Sequence, residues 1–95
     1  MNIALDFDNT YTRDPTFWNK VCELAKERGH HVRCVTMRSQ AESEDVEKTI
    51  GKVIGHENVY FTNRQAKSTF CFEHGIRIDV WIDDMPYFIE NDAKA

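Results

Sequence analysis

Apolar positions along this chain follow two alternating patterns. Compact runs of three or four mostly apolar residues at 3–5, 32–35, 59–61 and 80–82 predict four strands. The stretches between them return apolar residues every three or four positions, the spacing of one helix face. After the first run, Asp14-Pro15 places a capping side chain before a proline suited to the first helical position. Phe17, Trp18, Val21, Leu24 and Ala25 then recur at helical spacing, with a stop near Gly29. Beyond a Met37-Arg38-Ser39 loop, Ser43 or a near neighbour caps a helix through Val46, Ile50, Val53 and Ile54, ended by Gly55. Ala66 or Lys67 starts a helix carrying Phe70, Cys71 and His74 up to Gly75, and Pro86 opens a short last one with Tyr87, Phe88 and Ile89.

Strand and helix thus alternate at crossover lengths, which predicts an α/β fold of the doubly wound, Rossmann-like kind. The expectation is a mainly parallel four-stranded sheet in the order 4-1-2-3 with helices on both faces, every crossover right-handed. Ninety-five residues are expected to form a single small domain over residues 1–95. A hydrophobic fraction of 41% and a charged fraction of 29% belong to an ordinary globular chain, and no apolar run approaches a membrane span. No signal-peptide pattern precedes the first strand. Cys22, Cys34 and Cys71 are odd in number and widely spaced, so reduced, buried thiols and a cytoplasmic location are expected. A net charge of −4 gives no general attraction to nucleic acid or to anionic membrane.

The polar residues of interest collect where strands end. Asp6-Phe7-Asp8-Asn9-Thr10 follows the first run directly, Thr36 ends the second, and Asp83-Asp84 follows the fourth. Alternate side chains of extended backbone share a side, so Asp6 and Asp8 should lie close together where the strand stops. Two like charges that close repel, and one resists ionising unless a cation sits between them. In open α/β sheets ligands bind beyond the carboxyl ends of the strands, where strand order reverses. With strands one and four adjacent, Asp6, Asp8, Asp83 and Asp84 are expected to converge on one crevice. Such an oxygen-rich site suits Mg2+, which keeps several waters. The plain alternative is a strand-to-loop exit built from turn residues. Lys67 sits at a helix start, where the dipole disfavours a cation and an anionic ligand would explain it. Arg38 is either a solvated loop charge or a second phosphate or substrate contact. His30, His31 and Cys34 do not read as a zinc site, because neighbouring histidines entering a strand point to opposite faces.

These residues resemble the four dispersed motifs of the haloacid dehalogenase (HAD) superfamily of phosphohydrolases. The resemblance covers nearly the whole chain: Asp6-x-Asp8-x-Thr10 first, then Thr36, Lys67 and Asp83-Asp84. It implies a magnesium-dependent phosphatase acting through an aspartyl-phosphate intermediate. Asp6 would be the nucleophile and a metal ligand, and Asp8 the general acid and base. The Asp8 backbone carbonyl would ligate the metal, leaving its carboxyl for proton transfer. Asp83 would be a direct ligand, with Asp84 acting directly or through water. Thr36, the amide of Met37 and Lys67 would hold the phosphate, and Thr10 would fix the turn and the position of Asp8.

The chain departs from larger members of that superfamily in having no room for a cap domain. Only residues 11–14 separate the first motif from the first long helix. An open site suits a bulky phosphorylated substrate, such as a nucleic-acid end or a phosphoprotein. With a neighbouring subunit of a homo-oligomer over it, it suits a nucleotide or small phosphate ester. Tyr11, Trp18 and Tyr87 are candidate stacking residues, with core the favoured reading for Trp18. Two rival readings share these residue types. One is a non-enzymatic or weakly active metal- and phosphate-binding module of the same fold. The other is a response-regulator receiver, whose phosphoacceptor aspartate follows a later strand.

Overall fold

In the computed structural model, which describes residues 1–94, the four apolar runs become β1 (Asn2–Leu5), β2 (His31–Thr36), β3 (Val59–Phe61) and β4 (Val80–Ile82). All pair in parallel, in the order β3-β2-β1-β4, the expected order read from the other edge. The register sets Leu5 beside Cys34 on one side and Ile82 on the other, and Thr36 beside Phe61. The carboxyl ends of β1 and β4 therefore finish level, β2 runs two residues further, and their exit loops share one edge.

Period-two alternation divides the core. Leu5, Val32, Cys34 and Val59 face one side. There they meet Cys22 and Ala25 of α1 (Pro15–Glu27), Val46 of α2 (Glu44–Lys48) and Ile50 of α3 (Ile50–Ile54). Ala4 and Val35 face the opposite side and pack with Trp81 and with Phe70 and Cys71 of α4 (Lys67–Glu73). Helices thus cover both faces, with α5 (Tyr87–Glu90) lying against α4. All three cysteines are free and buried. Among the described residues, no helix is long and apolar enough to cross a membrane.

Local sequence explains most boundaries. The Asp14 carboxylate accepts the Phe17 amide at 3.2 Å and Pro15 opens α1, as its sequence predicts. Gly29 turns the chain into β2 at a φ of 80°, a left-handed conformation that costs glycine little. The buried stripe of α1 differs from expectation. Cys22 and Ala25 face the sheet with Trp18, whereas Phe17 and Leu24 are 52% and 57% exposed. The apolar arc of this helix is wider than the surface it covers.

The single helix expected after Ser43 breaks in two at Thr49. Its hydroxyl donates to the Asp45 carbonyl at 2.6 Å, and its amide turns to Val46 O instead. Such back-bonding from a threonine bends a helix, and here α2 ends before Thr49 and α3 restarts after it. Ser43 makes no side-chain cap; the Glu42 carboxylate instead accepts the amide and hydroxyl of Ser39 one turn earlier. Tyr11 is core rather than a stacking surface. It is 2% exposed, stacks on Phe7, and donates its hydroxyl to Asn19 Oδ1 at 2.7 Å.

Because the Asp14 side chain caps the longest helix, Asp14→Ala is expected to destabilise the protein by about 1 kcal/mol. In a chain of this size that lowers the melting temperature by roughly 4–8 °C, which a thermal melt followed by circular dichroism would read.

Candidate functional site

The site begins where β1 runs out. The Asp6 amide still donates to Ile82 O at 2.9 Å, so this residue is held level with the end of β4. Phe7 turns into the core at 2% exposure, which leaves Asp6 and Asp8 on the cleft side of the backbone. Asn9 then adopts a left-handed φ of 60°, a conformation that asparagine tolerates better than most residues, and the chain doubles back. That reversal brings Thr10 Oγ1 within 3.1 Å of both Asp6 Oδ2 and Asp84 Oδ1. Its single hydroxyl proton serves one of these carboxylates at a time. The same oxygen accepts the Asp84 amide at 3.1 Å.

Lys67 is the first residue of α4, the end at which a cation opposes the helix dipole. The chain supplies the compensating anions itself. Lys67 Nζ lies 2.7 Å from Asp6 Oδ1 and 2.5 Å from Asp83 Oδ2, with only 4% of its side chain exposed. Burial pulls the lysine toward its neutral form, but Asp6 and Asp83 outweigh it and raise the pKa above the ordinary value. Asp6 goes the other way from most paired carboxylates. Burial pushes its pKa up to about 6, against the pull of Lys67.

Asp6, Asp83 and Asp84 each offer an oxygen within 4.8 Å of the others, three carboxylates against one ammonium. A hard divalent cation bound at about 2.0–2.1 Å sets neighbouring ligand oxygens about 3 Å apart. This donor set could hold such a cation once the three carboxylates draw together around it. The carboxylate of Asp8 does not belong to the cluster. Both of its oxygens are taken by Arg38, at 3.0 Å from Nε and 2.8 Å from Nη2. Four converging carboxylates are thus three, because a guanidinium on the neighbouring loop matches a carboxylate in two parallel bonds. Arg38 is no solvated loop charge. Its Nη1 also meets Asp45 Oδ1 at 2.5 Å and Glu42 O at 3.0 Å, and the guanidinium lies over the Phe7 ring.

Thr36, 1% exposed, lines the same cleft, and its hydroxyl accepts the Arg38 amide at 3.4 Å. Met37 lines it too, with its carbonyl taken by both the amide and Nη1 of Arg64, at 2.9 and 2.6 Å. Sequence reading missed Arg64, which also grips Glu42 and holds that carboxyl down at about 2. Arg64 and Asn63 both stand at positive φ, 71° and 53°, so the loop after β3 is strained where it meets the cleft. Asp92 was missed as well. Its Oδ1 accepts the Ala66 amide at 2.7 Å, supplying the start of α4 with a cap from 26 residues away, and Ala93 N donates to Arg64 O beside it. Asp92 carries no local signal, since its partner is remote in the chain. His30 and His31 bond the amino terminus and Asn58 respectively, and take no part in the site.

The raised pKa of Asp6 sets a pH dependence with a definite sign. An unperturbed aspartate titrates near 3.8 and Asp6 in the fold near 6, so the fold favours the protonated form. Its contribution is fully present below pH 4 and is lost as pH rises through 6, on the order of 3 kcal/mol. In chelator, wild type should lose stability relative to Asp6→Asn across that window, as urea midpoints at successive pH values would show. Parallel profiles would mean that Asp6 titrates normally. A divalent cation competes with the proton, so its affinity should climb over the same window and level off above it.

No protein-family model, curated protein or solved structure matches this chain.

Proposed function

We propose that this protein is a magnesium-dependent phosphatase of the HAD type, hydrolysing a phosphate monoester through an aspartyl-phosphate on Asp6. The observation that carries this reading is the placement of Asp6. Its carboxylate is buried at the end of β1 between Lys67 and Thr10, and Asp83 and Asp84 stand close enough to share a cation with it.

Magnesium, held by Asp6, Asp83 and Asp84, would neutralise phosphoryl charge that otherwise repels an anionic nucleophile. Lys67 would do the same from the other side, and the Thr36 hydroxyl and Met37 amide would orient the remaining oxygens. An Asp6 oxygen attacks phosphorus in line, the bond to the ester oxygen breaks, and Asp8 gives that oxygen a proton. Water then attacks the same phosphorus, Asp8 recovers a proton from it, and the bond to Asp6 breaks to release phosphate. Thr10 and the buried Lys67 keep the carboxylate aimed throughout, which is the positional part of catalysis.

A weakly active metal- and phosphate-binding module is the second reading, and one observation favours it. Arg38 bonds both oxygens of Asp8, so proton transfer by Asp8 has to compete with that pairing. Single-turnover kinetics separate the two. For the phosphatase, Asp8→Asn should slow the first step by roughly 10²- to 10⁴-fold, with partial rescue by a leaving group of low pKa. Equal slowing for good and poor leaving groups would remove Asp8 as the donor.

The primary experiment is magnesium-dependent phosphate release from an aryl phosphate. Wild type should turn over, and Asp6→Asn should be inactive with an unchanged circular dichroism spectrum. Activity of the variant within about tenfold of wild type would exclude Asp6 as nucleophile. Magnesium should also raise the melting temperature, since a ligand at a hundred times its dissociation constant adds about 2.7 kcal/mol to a folded state it alone recognises. Asp84→Asn should lose most of that shift while keeping the Lys67 pairs. Equal shifts in both proteins would place the cation elsewhere.

A further inference from the structure

The cleft has a volume of about 580 Å³, and its two ends differ in chemistry. At the buried end stand Asp6, Thr36 and Lys67, each less than a tenth exposed. The outer wall is apolar: Met85, 49% exposed, and Phe88 of α5. This lip is tied to the acidic cluster, because the Met85 amide donates to Asp83 Oδ1 at 2.9 Å. Phe88 is held edge-on against Tyr87, with ring centroids 5.3 Å apart.

Charge along the cleft points the same way. Five carboxylates line it (Asp6, Asp8, Glu42, Asp83 and Asp84) against three cations, for a formal charge of −2. All three cations are already paired within the chain: Lys67 with Asp6 and Asp83, Arg38 with Asp8 and Asp45, Arg64 with Glu42. One divalent cation brings the cleft to neutrality and, by taking over the carboxylates that Lys67 now pairs, frees that ammonium to meet one phosphoryl group. A second phosphate would enter within a Debye length, about 8 Å, of paired acids with no uncommitted cation to receive it. A nucleic-acid strand would also meet a chain of net charge −4.

We infer that the substrate is a monophosphate ester of an uncharged, apolar alcohol, aromatic above all, whose ring seats on Phe88 and Met85. This rests on the phosphatase reading above. Offset or edge-on contact with Phe88 rewards a ring, and the flexible thioether of Met85 adapts to its shape. Met85 is exposed, Phe88 is half-buried, and both lie outside the two core clusters, so the lip can be altered without loss of the fold.

The test compares esters of primary alcohols with magnesium present, so that intrinsic reactivity is matched: benzyl phosphate, glycerol phosphate and a 5′-phosphorylated oligonucleotide. Benzyl phosphate should exceed glycerol phosphate in kcat/KM by roughly tenfold and the oligonucleotide by more. In the Met85→Ala/Phe88→Ala double variant the benzyl-to-glycerol ratio should fall to within about threefold, through KM. An oligonucleotide used as well as benzyl phosphate, or an unchanged ratio in the double variant, overturns the inference. If no ester is hydrolysed, the phosphatase reading fails, and binding decides the rest. Calorimetry with benzylphosphonate and methylphosphonate should then show a benzyl preference that the double variant lacks. Equal binding of the two by wild type overturns it.

Discussion

The buried ammonium of Lys67 is the interaction on which the site depends. It joins the end of β1, through Asp6, to the end of β4, through Asp83, from the first turn of α4. A lone lysine in that position would be disfavoured twice, by burial and by the helix dipole. Two carboxylates reverse both terms, and each carboxylate in turn needs the lysine. Removing one partner of such a buried set leaves an uncompensated charge, typically at about 3–5 kcal/mol. Parallel pairing of β1 with β4 makes the geometry available, since it ends both strands at the same level.

Around that centre two arginines fasten the loops rather than offering free charge. Arg38 ties the β2 exit to Asp8 of the β1 exit and to Asp45 of α2, and Arg64 ties the β3 exit to Glu42 and Met37. Asp92 closes the same loop from the far side by capping Ala66. Every exit loop on this edge of the sheet is therefore held by a charged side chain from another. The cleft is thus self-paired: each of its three cations already meets a carboxylate of the chain, and two carboxylate charges remain in excess.

Much of this was legible in the residues. The four strands and the ends at which Asp6, Thr36 and Asp83-Asp84 fall follow from short-range periodicity and from glycine and proline punctuation, while the strand order was an expectation of the doubly wound fold class that the sheet bears out. The Asp14 cap was legible in the same way, and the burial of the three cysteines from their odd number and wide spacing. Local competition defeated the reading at Thr49, where a hydroxyl broke a helix whose apolar spacing ran straight through. It also failed on α1, where Phe17 and Leu24 keep the helical rhythm but face away from the sheet.

What the sequence determined by itself is the architecture and the edge of the sheet at which polar groups gather, because those depend on residues a few positions apart. Only the tertiary structure decided which charge pairs with which. Asp8 joins Arg38 rather than the acidic cluster, Glu42 joins Arg64, and Asp92 joins Ala66, across 30, 22 and 26 residues. Such choices turn on loop conformation, down to the positive φ of Asn9, Asn63 and Arg64. A pattern of apolar and polar positions carries no information about which of several acids a guanidinium will reach. That is set by distance and direction once the sheet has brought the loops together.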